Sequence, residues 1–162
     1  GLVMARLMPY VDVCIANEED CEKVFGIKAA QTDIKSGKLS REGYQEVAEK
    51  LSSKFDIPTV AITLRGSISA SENTWAALLY KDGQPYFSKE YRIHIVDRVG
   101  GGDSFGGGLI YALSEGLSNP DVIEFAVAAS ALKHTIEHDF NEVTVAEVQA
   151  LMGGDGSGRV QR

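Results

Sequence analysis

Asp97-Arg-Val-Gly-Gly-Gly-Asp-Ser-Phe-Gly-Gly-Gly108 runs directly into the apolar stretch Leu109-Ile-Tyr-Ala-Leu113. Side-chain-free backbone stands between two carboxylates, Asp97 and Asp103, at what reads as the start of a helix. Gly100, Gly101 and Gly102 open torsions closed to other residues and remove the side chains that would hold an anion's oxygens away. Their N–H groups, with those opening a helix from Ser104, converge on negative charge. Asp103, at the junction, is suited to accept the proton of an attacking hydroxyl, a role in which orientation counts for more than intrinsic basicity. Asp97 is suited either to hold water on magnesium or to order the loop. By spacing alone the stretch reads equally as a glycine-rich loop, an Asp cap and a close-packed helix, for it is neither GxxxxGK[ST] nor GxGxxG.

Outward from this stretch, strands and helices alternate. Leu2, Val3, Leu7 and Met8 form an apolar helical face before Pro9. Tyr10 to Ala16 reads as a buried strand ending at Asn17, and Glu18 to Phe25 as a helix closed by Gly26. Residues 29 to 38 are polar and read as a surface loop. Tyr44, Val47, Ala48 and Leu51 share one helical face, and Pro58 introduces the strand Thr59 to Leu64. Ser67 to Ser71, Trp75 to Tyr80 and Gln84 to Lys89 have strand content, with turns expected at Glu72-Asn73 and Asp82-Gly83. Arg92 to Val96 is a further strand. A helix from Ser104 to Glu115 follows the glycines, and Asn119-Pro120 opens another whose face is Val122, Phe125, Ala126, Ala129 and Leu132. The small residues Ala128 to Ala131 leave room there for a close neighbour or a ligand. Thr144 and Glu147 form a capping box for a last helix to Leu151. The pattern predicts an α/β fold with a mixed, mostly parallel sheet: one domain over residues 1 to 152 and a tail over 153 to 162.

The chain has 162 residues, 44% of them hydrophobic and 24% charged, which suits one globular domain. With 16 basic against 23 acidic residues its net charge is -7, which argues against non-specific binding to nucleic acid or to an anionic membrane surface. No apolar run reaches the roughly 20 residues that cross a bilayer, so a soluble protein without a membrane segment is expected. Cys14 and Cys21 sit in no CxxC or zinc spacing, which suits a reduced, cytoplasmic setting. Gly1 to Met8 reads as the end of a helix rather than a beginning, so a fragment of a longer protein is expected.

Asp97-Arg-Val-Gly-Gly-Gly-Asp103 resembles the D[TS]xGAGD motif of the ribokinase-like carbohydrate kinases, the PfkB family, with Arg98 in place of Thr or Ser and Gly101 in place of Ala. Asn17-Glu-Glu-Asp20 is similar to that family's NxxE element, with Asp20 one methylene shorter than Glu. Thr63-Leu-Arg-Gly66 resembles its strand-end nucleotide element, with Arg65 replacing a frequent Gly. Residues 133 to 141 and the closing Gly-Asp-Gly-Ser-Gly-Arg-Val-Gln-Arg resemble those of bacterial 2-keto-3-deoxygluconate kinases, although His138 stands where a tighter Pro-Gly turn is usual. The resemblance covers essentially the whole chain. It implies the carboxyl-terminal part of a ribokinase-like three-layer sandwich, with a substrate-binding amino-terminal half as its missing partner.

The resemblance implies ATP and Mg2+ as cofactors, and a sugar acid such as 2-keto-3-deoxygluconate as the substrate phosphorylated on its 6-hydroxyl. Asp103 is then the base, Gly100, Gly101 and Gly102 hold the moving phosphoryl group, and Arg98 brings a cation near substrate or phosphate. Thr63, Arg65 and Gly66 lie on the nucleotide side, Ala129 to Lys133 border the adenine, and Asn17 and Asp20, with Asp97, organise magnesium-bound water. The backbone around Asp97 and after His134 resembles monovalent-cation loops, which extends the implied ions to K+; a homo-oligomer is a further implied partner state. Alternatives open at this stage are another sugar or nucleoside kinase, a non-catalytic nucleotide-binding fragment, and a purely structural α/β domain. Asn17 and Asp20 also read as an ordinary cap, and Arg65 as a surface cation. His134 and His138, four apart, can share a helix face, but no further metal ligand accompanies them. His94, Trp75 and Tyr80 read as surface or packing residues, and no Cys–His pair supports a nucleophile.

Overall fold

In the computed structural model, described over residues 1–28 and 41–154, a sheet with strand order β1-β2-β3-β4 is built from β1 (Val13–Ala16), β2 (Thr59–Ser67), β3 (Glu72–Lys81) and β4 (Gln84–Phe87), with β5 (Tyr91–His94) paired to β3. β1 and β2 are parallel, in the register Val13 opposite Thr59 through Ala16 opposite Ile62. Thr59 to Ile62 are all buried, as expected of a strand covered on both faces. β3 and β5 are antiparallel, Glu72 opposite His94 and Trp75 opposite Tyr91. The fold is therefore mixed α/β, as the alternating pattern predicts. Asp82 and Gly83 carry φ of 53° and 73°, the two positive torsions that a tight hairpin turn between β3 and β4 demands.

The chain divides into two compact units, Gly1–Leu64 with Leu78–Tyr86, and Arg65–Ala77 with Phe87 onward. In the first, α2 (Glu18–Phe25) is opened by a reciprocal cap between Asn17 and Asp20 and closed by Gly26 at φ 67°. α3 (Arg41–Phe55) buries Tyr44, Val47, Ala48, Leu51 and Phe55 at helical spacing. The Phe25 and Phe55 rings meet at 5.0 Å between centroids, and Lys54 Nζ donates to the Phe25 carbonyl. α1 (Leu2–Leu7) forms where expected, but its apolar face is not covered: Leu2, Val3 and Leu7 are exposed, and only Met8, in the following 3-10 turn, is buried. The expected loop 29–38 lies outside the described residues, as does most of the expected tail.

In the second unit, α4 (Gly101–Ser114), α5 (Asn119–Lys133) and α6 (Val145–Gly153) accompany β5 and the first half of β3. α5 is buried nearly all round, from Val122 and Ile123 through Phe125 to Lys133, so the single face read from its pattern underestimates it. Ala126, Ala128, Ala129 and Ala131 make this possible by keeping the helix thin. α4 crosses closely where both helices are smallest: a methyl added at Gly108 would stand 3.2 Å from Ala126 Cα and Ala129 Cβ. In its first half α5 is also tied to β5. Glu124 accepts hydrogen bonds from the Tyr91 hydroxyl and from the Lys89 N–H, and burial followed by Glu124 raises the Tyr91 pKa far above its ordinary value. The Thr144–Glu147 capping box opens α6 as predicted.

Several element boundaries differ from the sequence reading: β1 begins at Val13 because Met8–Tyr10 forms a 3-10 turn, β4 ends at Phe87, and β5 spans Tyr91–His94. Glu72-Asn73 is no turn but the start of β3; the bend lies at 68–71, where strand content was expected, and there the Glu72 carbonyl accepts both the Ile68 and Ser69 N–H groups and Ser69 Oγ accepts the Glu72 N–H. α4 begins at Gly101, not Ser104, because Gly100 at φ 79° serves as its N-cap. Low helix propensity at Gly101 and Gly102 is outweighed by tertiary bonds: Ser130 Oγ donates to the Gly101 carbonyl at 2.8 Å, and Ser104 Oγ to the Ala129 carbonyl at 3.1 Å. Ala126→Leu should overpack the α4–α5 crossing and cost about 1–3 kcal/mol, measured by urea unfolding.

Candidate phosphoryl-transfer site

The three glycines of the central motif are glycine for three different reasons. Gly100 takes a left-handed torsion, and a Cβ there would overlap the Asp139 carbonyl oxygen. At Gly101 an added Cβ would stand 2.5 Å from Cε1 and 2.7 Å from Nε2 of His134. At Gly102 nothing lies within 4 Å of an added Cβ: two of the glycines press against protein, and the third faces open space.

The amides of this turn are likewise unequal. The Gly101 N–H bonds back to the Arg98 carbonyl at 3.3 Å and the Ser104 N–H to the Gly100 carbonyl at 2.9 Å. Gly102 and Asp103 are among the first four N–H groups of α4, which a helix leaves without intrahelical acceptors. Of the three glycines, Gly101 already spends its N–H on the Arg98 carbonyl, and Gly100 and Gly101 shape the turn by their close contacts. Asp103 lies in the first turn of α4, exposed.

Gly100 and Asp103 stand at one end of a cleft of about 410 Å³. Its walls are Ser104, Gly107, Gly108, Tyr111, Phe125 and Ala129 on one side and the 139–148 segment, with Phe140, Asn141, Val143 and Val148, on the other. Tyr111 and Phe125 pack ring against ring at 5.0 Å, and Phe140 is 72% exposed. Asn141 holds the two walls together: its amide donates to Ser104 Oγ and to the Ala129 carbonyl at 3.4 Å. An anion-binding turn at one end of an apolar, aromatic-edged cleft fits a nucleotide, phosphates at the turn and base along the wall. Of the expected adenine border, Ala129 lines the cleft. Lys133 does not: it is fully buried, and its ammonium donates to the Ile136 carbonyl at 3.3 Å. Phe125, Phe140 and Val143 were not anticipated; Phe140, a lone aromatic in a polar segment, carried the one available signal.

Asp97 orders the loop. Oδ1 accepts the Val99 N–H at 3.0 Å and Oδ2 the His138 N–H at 3.1 Å. The Val99 N–H above all, helped by the Lys133 charge and by the His138 and Arg98 N–H groups, holds its pKa below the ordinary carboxylate value against the effect of desolvation. Each oxygen accepts one backbone N–H and keeps a second lone pair, so ordering the loop leaves capacity to accept from a magnesium-bound water. Among the described residues no three His, Cys, Asp or Glu side chains gather as a metal site. Asn17 and Asp20 lie in the first unit and cap α2 through Asn17 Oδ1 to the Asp20 N–H at 2.9 Å and Asp20 Oδ2 to the Asn17 N–H at 3.2 Å. The loop resembling a potassium site already has one carbonyl, that of Ile136, bonded to a fixed ammonium.

Thr63 lies on β2 in the first unit; Arg65, exposed, and Gly66, buried, follow on the same strand in the second. Arg98 is exposed and donates to the Ala70 carbonyl at 2.9 Å, with Asn73 beside it, so it braces the 68–71 bend. His134 and His138 do not share a helix face, because α5 ends at Lys133 and His138 adopts φ 67°. His134 is buried, and its Nδ1 donates to the Ser130 carbonyl at 2.7 Å. Burial holds its imidazole below the ordinary histidine range. His94 bonds Glu72 at 2.8 Å on the surface, beside Arg92. Burial, then Asp20, pushes the Cys14 thiol up, which favours its protonated form.

Comparison with known proteins decides the family, for the description "pfkB family carbohydrate kinase" matches residues 2–137. The chain belongs to the PfkB family of carbohydrate kinases. It is 50% identical to 2-dehydro-3-deoxygluconokinase from Thermotoga maritima, over 94% of this chain and 44% of that one, with a TM-score of 0.88. A PfkB family carbohydrate kinase from Listeria grayi is 28% identical, over 94% of this chain and 44% of its own, with a TM-score of 0.80. Ribokinase from Haemophilus influenzae is 26% identical over 133 residues, 80% of this chain and 37% of the relative. The chain spans less than half the length of each of these PfkB relatives.

Replacing Asp97 by Asn should lower the melting temperature at neutral pH, because an amide cannot accept both backbone N–H groups. A carboxylate with a depressed folded pKa stabilises above its unfolded value, near 3.9, and loses that contribution as pH falls through the folded one. The melting curves of wild type and variant should therefore converge toward pH 2; a gap unchanged by acid would contradict the assignment.

Proposed function

We propose that the complete protein transfers the γ-phosphoryl group of ATP to the 6-hydroxyl of 2-keto-3-deoxy-D-gluconate. The observation that carries the reading is Asp103 at the opening of α4, beside the outward-facing Gly102 and at the end of the apolar cleft. The likeness to the Thermotoga kinase supports the narrower choice of acceptor.

In this reading the base and ribose of ATP lie along Phe125, Ala129, Phe140 and Val143, which directs the triphosphate toward Gly100. The acceptor oxygen attacks the γ-phosphorus in line with the bond to the leaving ADP oxygen. As the new P–O bond forms and the old one breaks, Asp103 takes the hydroxyl proton. The Gly102 and Asp103 amides and the positive end of α4 stabilise charge on the phosphoryl oxygens, already fixed in direction before reaction begins. Arg65 and Arg98 add cationic charge on the side of β2 and the turn. Magnesium accompanies ATP as in phosphoryl transfer generally, but no residue described above is assigned to hold it directly. The acceptor's own binding groups are assigned to the part of the kinase fold that this chain does not span, and the setting is cytoplasmic.

The test is ADP release by the full-length protein with Mg2+ and a panel of 2-keto-3-deoxygluconate, gluconate, fructose and ribose. The keto-deoxy acid should give the highest kcat/KM. Asp103→Asn should lower kcat about 1000-fold with little change in the KM for ATP. Equal rates for the two enzymes would overturn the base assignment, and a preference for ribose would overturn the acceptor while leaving the kinase chemistry in place.

A further inference from the structure

We propose that His134 is a positioning residue for phosphoryl transfer, and that Gly101 and His134 form a size-matched pair setting the direction of the Gly102 amide and the Asp103 side chain. The proposal rests on the phosphotransfer reading of this turn. His134 does not face the cleft and is 4% exposed. Its ring fills the space a Cβ at position 101 would occupy.

The ring is held on several sides. Nδ1 donates to the Ser130 carbonyl at 2.7 Å, and the Trp75 ring lies against it, 4.8 Å between centroids and tilted by 55°. Ser130, one turn back on α5, donates its hydroxyl to the carbonyl of Gly101 itself at 2.8 Å. The His134 carbonyl in turn accepts the Val96 N–H at 2.8 Å and the Asp97 N–H at 3.3 Å, at the point where the chain enters the turn. One residue thus holds the segment leading into the glycine turn through its backbone and supports the first helical residue through its ring.

A terminal side-chain atom often yields to a new methyl by rotating away, but this imidazole is closed in by Trp75 and bonded to Ser130. The turn must move instead. A displacement of Gly101 is transmitted within two residues to Asp103, and about 1 Å of misplacement at a reacting group costs roughly 100-fold in rate.

The experiment is a reciprocal size swap in the full-length protein, with kcat and KM for ATP, thermal melting and amide hydrogen exchange measured on each variant. Asn is chosen at 134 because its side-chain amide reaches the Ser130 carbonyl from nearly the Nδ1 position while removing the far edge of the ring. Gly101→Ala should lower kcat about 100-fold with KM for ATP within about threefold. His134→Asn alone should lower kcat about tenfold and speed exchange at Gly102 and Asp103 by a similar factor, with α5 protection retained. Gly101→Ala/His134→Asn should be at least about tenfold faster than Gly101→Ala, a recovery that independent losses do not produce. Should Gly101→Ala fail to fold, recovery of both folding and turnover in the double variant supports the pair. A double variant no better than Gly101→Ala, or unchanged exchange at Gly102 and Asp103 in His134→Asn, overturns the proposal. Wild type that releases no ADP with any acceptor overturns the phosphotransfer reading instead, and the exchange result then still decides whether His134 orders the turn.

Discussion

Backbone pressed against folded chain on its inner side, and facing open space on its outer side, is the constraint on which the candidate site depends. The segment after α5 runs so close to Gly100 and Gly101 that neither position has room for a Cβ. That closeness holds the first turn of α4 where its amides and Asp103 border the cleft. A looser contact would leave a helix start free to shift, and a shifting dipole stabilises developing charge poorly because it must reorganise during the reaction.

The charges around the turn are arranged to keep it still. Asp97 spends both oxygens on backbone N–H groups on either side of the motif, Val99 and His138, so one carboxylate ties together segments about 40 residues apart in sequence. Lys133 supplies a compensating positive charge from a fully buried position and donates to the Ile136 carbonyl. A buried ammonium is tolerated only where such partners exist. Together they make the 134–139 segment a rigid backing for the glycine turn, and His138 accepts a left-handed torsion to close it.

Much of this was legible in the residues alone. The Asp82-Gly83 hairpin, the Asn17–Asp20 and Thr144–Glu147 caps, the Gly26 stop and the apolar strand Thr59 to Leu64 are local signals, each carried by neighbours within a few positions, and each stands where the pattern put it. Glycine next to carboxylate marked the candidate site for the same reason. The start of α4 and the 68–71 bend are not legible locally because their hydrogen bonds run to distant or crossing segments, as Ser130 does to Gly101 and Arg98 does to Ala70.

What the sequence by itself determined is the alternation of strands and helices and the glycine–carboxylate motif that marks the family, because torsional preference, periodicity and proximity along the chain need no distant partner. Only the tertiary structure decided which glycine serves which purpose, that Asp97 is a tether, that Lys133 is buried away from the cleft and that Phe125, Phe140 and Val143 wall it. Those roles depend on what stands opposite each residue across space, and steric exclusion between segments far apart in the chain leaves no periodic trace in either one.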